Sequence, residues 1–220
     1  AHGPLILVCN HINFMEVPLV FTHLQPRPVT GFAKSETWEN PILRPLFNLW
    51  GAIPLRRGEA DLSAIRKGML ALQEGKIVAI SPEGTRSGDG RLGRGIPGVT
   101  ILALNSRVPL LPLVYYGSES LRPNLMRLRR TNFHIRVGTP FYLDAGGVRT
   151  TREVRQAMVD EIMYRLALVR FLRRAAYAPW VANVARSSLA SSVDLLEQPG
   201  HVLAEDLHGS QAFFVLLDLA

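Results

Sequence analysis

Short, unbroken apolar runs recur along this 220-residue chain, and segments with a helical spacing of apolar residues lie between them. An apolar run of this length predicts a strand buried on both faces, as the strands of parallel sheets are. The alternation therefore predicts an α/β fold with a largely parallel central sheet flanked by helices. The strands are predicted over residues 4–9, 29–33, 52–55, 76–80, 110–116 and 133–137.

The clearest helix is predicted over residues 61–73, whose apolar side chains repeat at helical spacing and which Gly75 follows as a C-cap. Residues 16–23 fit either a helix or a further apolar layer. Residues 81–96 are rich in Gly and Arg and predict a long loop. Further helices are predicted over residues 40–50, 97–105 and 151–174.

Two prolines interrupt the fifth apolar run, which begins VPLLPLV at Val108. Proline has no N–H to donate to a neighbouring strand. The prolines therefore favour an edge strand or a strand that lines a site, although most such stretches are simply buried strands.

The regular patterns weaken towards the C-terminus. We expect residues 1–168 to form one domain and residues 169–220 to form a helical or disordered C-terminal tail. No stretch reaches the roughly 18 uncharged apolar residues that a membrane-spanning helix needs. No signal-peptide pattern precedes the first predicted strand.

The chain has a formal net charge of +7, and 22 of its 25 basic residues are Arg. The planar guanidinium binds phosphate in a forked geometry that Lys cannot copy. Nucleic acid, anionic membranes and phosphorylated small molecules all remain possible partners. Cys9 is the single cysteine, which excludes an intrachain disulfide and a multi-cysteine metal site.

A histidine and a carboxylate follow the first predicted strand: His11 and Glu16 are five residues apart. An imidazole takes up a proton near neutral pH, and a carboxylate on its other nitrogen orients it and stabilises its charged form. Positions five apart on one helix point about 140° apart. The pair therefore requires His11 in a loop and Glu16 near the start of the next helix. A loop or core histidine without a catalytic role gives the same pattern.

A second candidate, SPEGTRS, follows the fourth predicted strand at residues 81–87. A turn with glycine, two hydroxyls and Arg86 at the carboxyl end of a strand suits a bound anion, although it also suits a solvated turn. Lys34, Arg56 and Arg57 follow two other predicted strands. Ligands of open α/β sheets bind at such strand ends, so these cations are candidates for the same anion.

Taken in order, these segments resemble the sequence blocks of the 1-acylglycerol-3-phosphate acyltransferase family, within the glycerophospholipid acyltransferases. The blocks of the family are NH-x4-D, AK-x-E, G-x-I-x-x-x-R, F-P-E-G-T-R-S and V-P-hydrophobic-x-P. Here they stand as NHINFME, AKSE, GAIPLRR, SPEGTRS and VPLLP, within residues 3–165. Glu16 replaces the family's Asp, Ser81 replaces its aromatic residue, and the domain is expected to lack the family's N-terminal membrane-associated helices.

The resemblance implies a glycerolipid acyltransferase-like fold. It also implies transfer of a fatty acyl group from acyl-CoA or acyl-ACP to the 2-hydroxyl of 1-acyl-sn-glycerol 3-phosphate, giving phosphatidic acid for phospholipid biosynthesis. His11 is then expected to be the general base and Glu16 its orienting partner, with no metal and no cofactor besides the acyl thioester co-substrate. The residues expected to bind the substrate phosphate are Lys34, Arg56, Glu83, Gly84, Thr85 and Arg86.

The expected partners are a lysophospholipid, an acyl thioester, acyl carrier protein and an anionic membrane surface. Nucleic acid is not expected, because the chain lacks interleaved aromatic and basic residues. Residues 121–130 mix four Arg with Leu and Met, which suits either the headgroup zone of an anionic bilayer or a solvated loop. A peripheral location on the cytoplasmic face of the cell membrane would follow.

Two alternative functions remain open at this point. One is a non-catalytic relative that binds anionic lipid, which the replacement of Asp by Glu16 suggests. The other is an acyltransferase that acts on another lysolipid or on glycerol 3-phosphate. The enzyme interpretation depends on one arrangement, in which the turn at residues 10–16 and the turn at residues 83–86 lie side by side.

Overall fold

A six-stranded sheet forms the centre of the protein, whose computed structural model describes residues 3–57, 61–147 and 149–171. The strand order is β3-β2-β4-β1-β5-β6. Strands β1 to β5 are parallel to one another, and β6 is antiparallel to β5. The predicted α/β fold is therefore confirmed. The strands are β1 (Leu5–Cys9), β2 (Val29–Lys34), β3 (Ile53–Leu55), β4 (Ile77–Ile80), β5 (Leu110–Tyr116) and β6 (His134–Val137).

Helices follow the parallel strands, as the sequence predicted. Residues 16–23, which also fitted an apolar layer, form a helix. The last helix reaches the end of the described residues, so most of the tail predicted for residues 169–220 lies outside them. The helices are α1 (Glu16–His23), α2 (Leu43–Leu49), α3 (Leu62–Gln73), α4 (Gly98–Ser106), α5 (Leu121–Met126) and α6 (Arg152–Phe171), with 3-10 turns at Ser35–Glu39 and Ser118–Ser120.

The helix α3 begins and ends as its sequence predicts. At its start the Asp61 carboxylate accepts a hydrogen bond from the N–H of Ala64 at 3.0 Å, which satisfies a donor that the first helical turn leaves unpaired. After its end Gly75 has a φ of 80°, in the left-handed region that Gly adopts without steric cost.

Both faces of the central strands β1 and β5 are buried, which explains why these two strands are continuous apolar runs. Side chains of β1 alternate between two clusters. Ile6 and Val8 lie in the larger cluster, which α3, α4 and α6 cover, and Leu7 lies in the smaller cluster with Val20 of α1. Alternation of this kind follows from the two-residue period of a strand.

The proline-containing strand is a buried interior strand and not an edge strand. β5 lies between β1 and β6. The carbonyl of Pro112 accepts a hydrogen bond from the N–H of Gly138 at 2.8 Å, so the backbone of Pro112 faces a point just beyond the end of β6. An interior strand can hold Pro112 because its missing N–H faces a position where the β6 ladder has already ended.

Parallel strands place all their carboxyl ends at one edge of the sheet. The loops after β1, β2, β3 and β4 carry the candidate site residues, so the fold collects these loops at that edge. Within the described part of the chain, none of the helices is long and apolar enough to cross a membrane.

Candidate active site

Asn10 fixes the start of the loop between β1 and α1. Its side-chain amide donates to the carbonyl of Tyr115 at 3.0 Å, and its side-chain oxygen accepts from the N–H of the same residue at 2.8 Å. Both residues are buried. The sequence analysis assigned no role to Asn10, although its place directly after a buried strand was a signal, because a buried amide must find hydrogen-bond partners.

The predicted pair of His11 and Glu16 is formed. His11 Nδ1 lies 3.0 Å from Glu16 Oε2, and Glu16 is only 4% exposed. A carboxylate only accepts hydrogen bonds, so Nδ1 donates the proton, and in the neutral imidazole the lone pair is then on Nε2. This is the tautomer that a general base requires.

Glu16 also shapes the loop that carries His11. Its Oε1 accepts the backbone N–H of Ile12 at 3.2 Å and that of Asn13 at 2.9 Å. As the first residue of α1, Glu16 folds back over the turn that leads into the helix. One carboxylate therefore holds both the backbone turn and the imidazole, and the longer side chain of Glu still reaches His11.

The turn after β4 lies directly against this loop. The carboxylate of Glu83, 5% exposed, accepts the backbone N–H of His11 at 2.9 Å and that of Gly93 at 2.7 Å. The N–H of Ser87 donates to the carbonyl of His11 at 2.8 Å, and the N–H of Gly88 donates to that of Ile12 at 3.1 Å. The two turns lie side by side, as the enzyme interpretation required.

Glu83 is bonded to the protein backbone rather than directed at a substrate. Burial raises the pKa of its carboxyl, while the N–H groups of Gly93 and His11 oppose that shift. It does not line the cavity beside His11. These contacts favour a positioning role for Glu83, whereas the sequence analysis predicted contact with phosphate.

A cavity of about 290 Å³ lies beside His11 and Glu16. Most of its wall is apolar and comes from β2, α1, α2, α3 and α4. His11, Glu16 and Ser81 line it where β1 and β4 end. The apolar lining includes Val17, Val20, Phe21, Phe32, Phe47, Leu55, Ile65, Val99 and Ile101.

Three cations line the same cavity: Lys34, Arg56 and Arg57. Lys34 Nζ lies 2.9 Å from Glu36 Oε1, and the hydrogen bond from Lys34 lowers the pKa of Glu36 to about 2. Arg56 Nε lies 3.9 Å from Asp61 Oδ2. The cavity thus combines an apolar wall, an imidazole–carboxylate pair and exposed positive charge.

The remaining predicted residues belong to the turn after β4. Gly84 lines the cavity with a φ of 67°. Thr85 and Arg86 are exposed and do not line it. Arg86 directly precedes Ser87, which bonds to His11, so it lies at the same edge of the sheet.

Cys9 and Ser81 lie at the strand ends next to His11, with 3.5 Å between Cys9 Sγ and Ser81 Oγ. Burial raises the pKa of the Cys9 thiol to about 12. A thiol with this pKa is almost entirely protonated at neutral pH and is a poor nucleophile. Cys9 is therefore unsuited to covalent catalysis.

Residues 1–116 match the protein-family model described as Acyltransferase. This region contains β1 to β5 and each of the candidate site residues named above. The matched residues make up more than half of the chain.

Named relatives share modest identity with the chain. A chloroplastic 1-acyl-sn-glycerol-3-phosphate acyltransferase of Brassica napus is 28% identical over 123 residues, covering 54% of this chain and 35% of that protein. A 1-acyl-sn-glycerol-3-phosphate acyltransferase of Bacillus subtilis is 26% identical over 167 residues, covering 76% of this chain and 81% of that protein. The match therefore spans about a third of the chloroplastic relative and most of the bacterial one.

A solved structure shares the fold. The crystal structure of the 1-acyl-sn-glycerophosphate acyltransferase PlsC from Thermotoga maritima matches with a TM-score of 0.57 and 24% identity, covering 80% of this chain and 68% of that one. At this identity the similarity shows that the folds are alike and leaves the chemistry to be argued from the site.

Glu83→Gln is expected to lower the free energy of unfolding by about 1–3 kcal/mol, because a glutamine has one acceptor oxygen for two backbone N–H groups. Urea denaturation measures this change, and amide hydrogen exchange should show faster exchange at His11 or Gly93. Arg86→Gln, an exposed change three residues away, is the control and should leave both quantities unchanged. Wild-type stability and exchange in Glu83→Gln would contradict the positioning role.

Cys9 in the folded protein is expected to react with iodoacetamide at pH 8 at least about a thousandfold more slowly than in the urea-unfolded chain. A pKa of about 12, against the ordinary 9.0, reduces the thiolate fraction by roughly that factor, and burial slows the reaction further. Mass spectrometry of the alkylated peptide measures the rate. Comparable rates in the folded and unfolded chains would show that the thiol is neither buried nor protonated as described.

Proposed function

This chain belongs to the acyltransferase family, and from that premise we propose that it transfers a fatty acyl group from an acyl thioester to the 2-hydroxyl of 1-acyl-sn-glycerol 3-phosphate. The product is phosphatidic acid, a precursor in phospholipid biosynthesis. One observation carries the proposal: the His11–Glu16 pair lies on an apolar cavity that three cations also line. A lipid acceptor with a phosphate and a reactive hydroxyl needs those three elements in one place.

His11 is the general base in this mechanism. Its Nε2 takes the proton of the acceptor hydroxyl while the oxygen attacks the thioester carbonyl carbon. A new ester C–O bond forms, the C–S bond breaks, and the leaving thiolate receives the proton from His11. Glu16 stabilises the imidazolium that exists between these two proton transfers, across the 3.0 Å contact.

The attack is direct, without an acyl-enzyme intermediate. The candidate thiol, Cys9, is buried with a pKa of about 12. A thioester is already an activated acyl donor, so the mechanism needs no cofactor beyond the acyl-CoA or acyl-ACP co-substrate.

The cations orient the acceptor. Lys34 and Arg56 line the cavity with Arg57, and their charge-assisted hydrogen bonds to a phosphate would hold the 2-hydroxyl near His11. Arg86 is exposed at the same edge and adds positive charge where the acceptor enters. Gly84 contributes to the cavity wall without a side chain in the path of the substrate.

A lipid acceptor also determines where the protein works. It resides in a bilayer, so the enzyme must meet the membrane surface, and the net charge of +7 favours an anionic one. We therefore assign the protein a peripheral position on the cytoplasmic face of the cell membrane. The rival interpretation, a lipid-binding relative without turnover, was suggested by Glu16 in place of Asp, and the 3.0 Å contact with His11 speaks against it.

His11→Ala should reduce acyl transfer from labelled acyl-CoA to 1-acyl-sn-glycerol 3-phosphate by about 10²–10⁴-fold, the usual contribution of a general base. His23→Ala, which removes an exposed histidine at the end of α1, is the matched control and should act like wild type. Equal turnover by His11→Ala and wild type would remove His11 from the mechanism. No transfer by the wild type, with vesicle binding intact, would favour the non-catalytic relative.

Arg56→Ala should raise KM for the phosphate-bearing acceptor by about 10–100-fold and leave KM for the neutral acceptor 1-acylglycerol nearly unchanged, because a charge-assisted bond contributes about 1.5–3 kcal/mol. Arg86→Ala should show the same selectivity with a smaller effect, since Arg86 does not line the cavity. Arg91→Ala, an exposed arginine on the same loop, is the control. If the two acceptors change equally, the phosphate assignment is wrong.

A further inference from the structure

We propose that residues 121–130, here named the arginine turn, dock the protein on an anionic lipid bilayer and direct the candidate active site towards it. The arginine turn consists of α5 and the four residues after it. The inference rests on the proposed function, because a lipid acceptor requires a membrane-facing site. It adds the surface that makes the contact and the orientation that results.

The arginine turn exposes large apolar side chains that a protein in water would otherwise bury. Leu125 is 67% exposed, Met126 79% and Leu128 94%. A single exposed leucine is common on protein surfaces, but three such side chains within four residues form a patch. Such a patch is stabilised when it enters the boundary between headgroups and acyl chains.

Leu128, at 94% exposure, also has an unfavourable backbone conformation. Its φ is 51°, in the left-handed region that non-glycine residues rarely adopt. The N–H of Leu128 donates to the carbonyl of Leu125 at 3.1 Å, and the N–H groups of Arg127 and Arg129 donate to that of Asn124 at 3.0 and 2.8 Å. The turn therefore keeps Leu128 exposed in a backbone conformation that is sterically unfavourable for leucine.

The apolar tip is surrounded by positive charge. Arg122, Arg127, Arg129 and Arg130 are exposed, and residues 120–143 contain no Asp or Glu. Guanidinium groups bind the phosphates of lipid headgroups while neighbouring aliphatic side chains insert below them. The charge is therefore complementary to an anionic bilayer.

A hydrogen bond connects the segment before the arginine turn to the loop that carries His11. Asn13, two residues after His11, donates through its side-chain amide to the carbonyl of Ser118 at 2.8 Å, at the start of the segment that leads into α5. The two ends of residues 117–132 lie in contact, because the backbone of Gly117 is so close to the carbonyl of Asn132 that a Cβ there would collide with it. A bilayer bound to the arginine turn therefore lies at the edge of the sheet that carries His11.

The composition of the arginine turn separates a bilayer from other polyanionic or apolar partners. Binding to single-stranded nucleic acid uses aromatic side chains for base stacking, and residues 121–130 contain none. Interfaces between proteins also use Met and Arg, but Trp and Tyr are prominent among their hot spots, and residues 121–130 contain neither. Exposed Leu and Met with Arg beside them suit the headgroup boundary of a bilayer.

The test measures sedimentation of the full chain with vesicles of phosphatidylglycerol and phosphatidylcholine, and with vesicles of phosphatidylcholine alone. Leu128→Asn removes the apolar tip while placing at φ 51° a residue that tolerates the left-handed region, so folding should be kept or improved. We expect it to weaken binding to the anionic vesicles by roughly tenfold. Leu70→Gln, at an exposed leucine of α3, is the control and should bind as wild type does.

The charge is tested by the triple variant Arg127→Gln/Arg129→Gln/Arg130→Gln, which should lower affinity for the anionic vesicles by roughly a hundredfold. Arg66→Gln/Lys67→Gln/Arg152→Gln removes the same net charge from exposed positions elsewhere, and its loss should be much smaller. Equal losses in the two triple variants would overturn the proposal, since net charge alone would then explain binding. Vesicle binding by Leu128→Asn at the wild-type level would overturn it as well.

Acyl transfer to two different acceptors distinguishes an effect on docking from an effect on catalysis. With a short-chain acceptor that stays monomeric, Leu128→Asn should transfer acyl groups at the wild-type rate, and with a vesicle-embedded acceptor it should be slower. A wild type that binds anionic vesicles but transfers nothing would refute the proposed function and leave docking supported. A wild type that transfers to the monomeric acceptor but binds no vesicles, or that dimerises through Leu128 instead, would refute docking alone.

Discussion

The hydrogen bonds that join the loop after β1 to the turn after β4 determine the rest of the site. Glu83 accepts the N–H of His11, and the carbonyls of His11 and Ile12 accept N–H groups from Ser87 and Gly88. Without these bonds the loop that carries His11 would still be held by Asn10 and Glu16, but nothing would fix its distance to the turn after β4. With them, a base and a glycine-rich turn from residues about 70 positions apart form one unit. The parallel sheet makes this possible because β1 and β4 are neighbours and end at the same edge.

The rest of the site is arranged around that unit by strand order. β2 lies beside β4 and β3 beside β2, so Lys34, Arg56 and Arg57 reach the cavity from one side. β5 lies on the other side of β1, where the side-chain amides of Asn10 and Asn13 donate to the carbonyls of Tyr115 and Ser118. The cavity and its cations therefore lie on one flank of His11, and the arginine turn lies on the other. In the proposed docking orientation, a lipid substrate leaving the bilayer would enter between the cavity and the arginine turn.

Much of this could be predicted from the sequence, for identifiable physical reasons. Strands buried on both faces are continuous apolar runs, so the sheet was visible, and the requirement that His11 lie in a loop with Glu16 opening a helix is met. The targets of buried polar groups could not be predicted, because they depend on which backbone N–H is nearest in space. The backbone partners of Glu83 were therefore not foreseen, Asn10 was missed, and the interior position of Pro112 depended on where β6 ends.

Glu16 has a structural role in the turn before α1 as well as a contact with His11, and the structural role alone would favour its retention. Its carboxylate bonds to the backbone N–H groups of Ile12 and Asn13 as well as to the imidazole of His11. The imidazole bonds to Glu16 and holds no backbone group among these contacts. In a lineage that loses selection for turnover, the base is thus free to drift, while the acid is retained by the fold. Relatives that have lost activity should therefore keep the carboxylate at the start of the first helix and lack the histidine. Relatives that keep the histidine and lack the carboxylate should be rare.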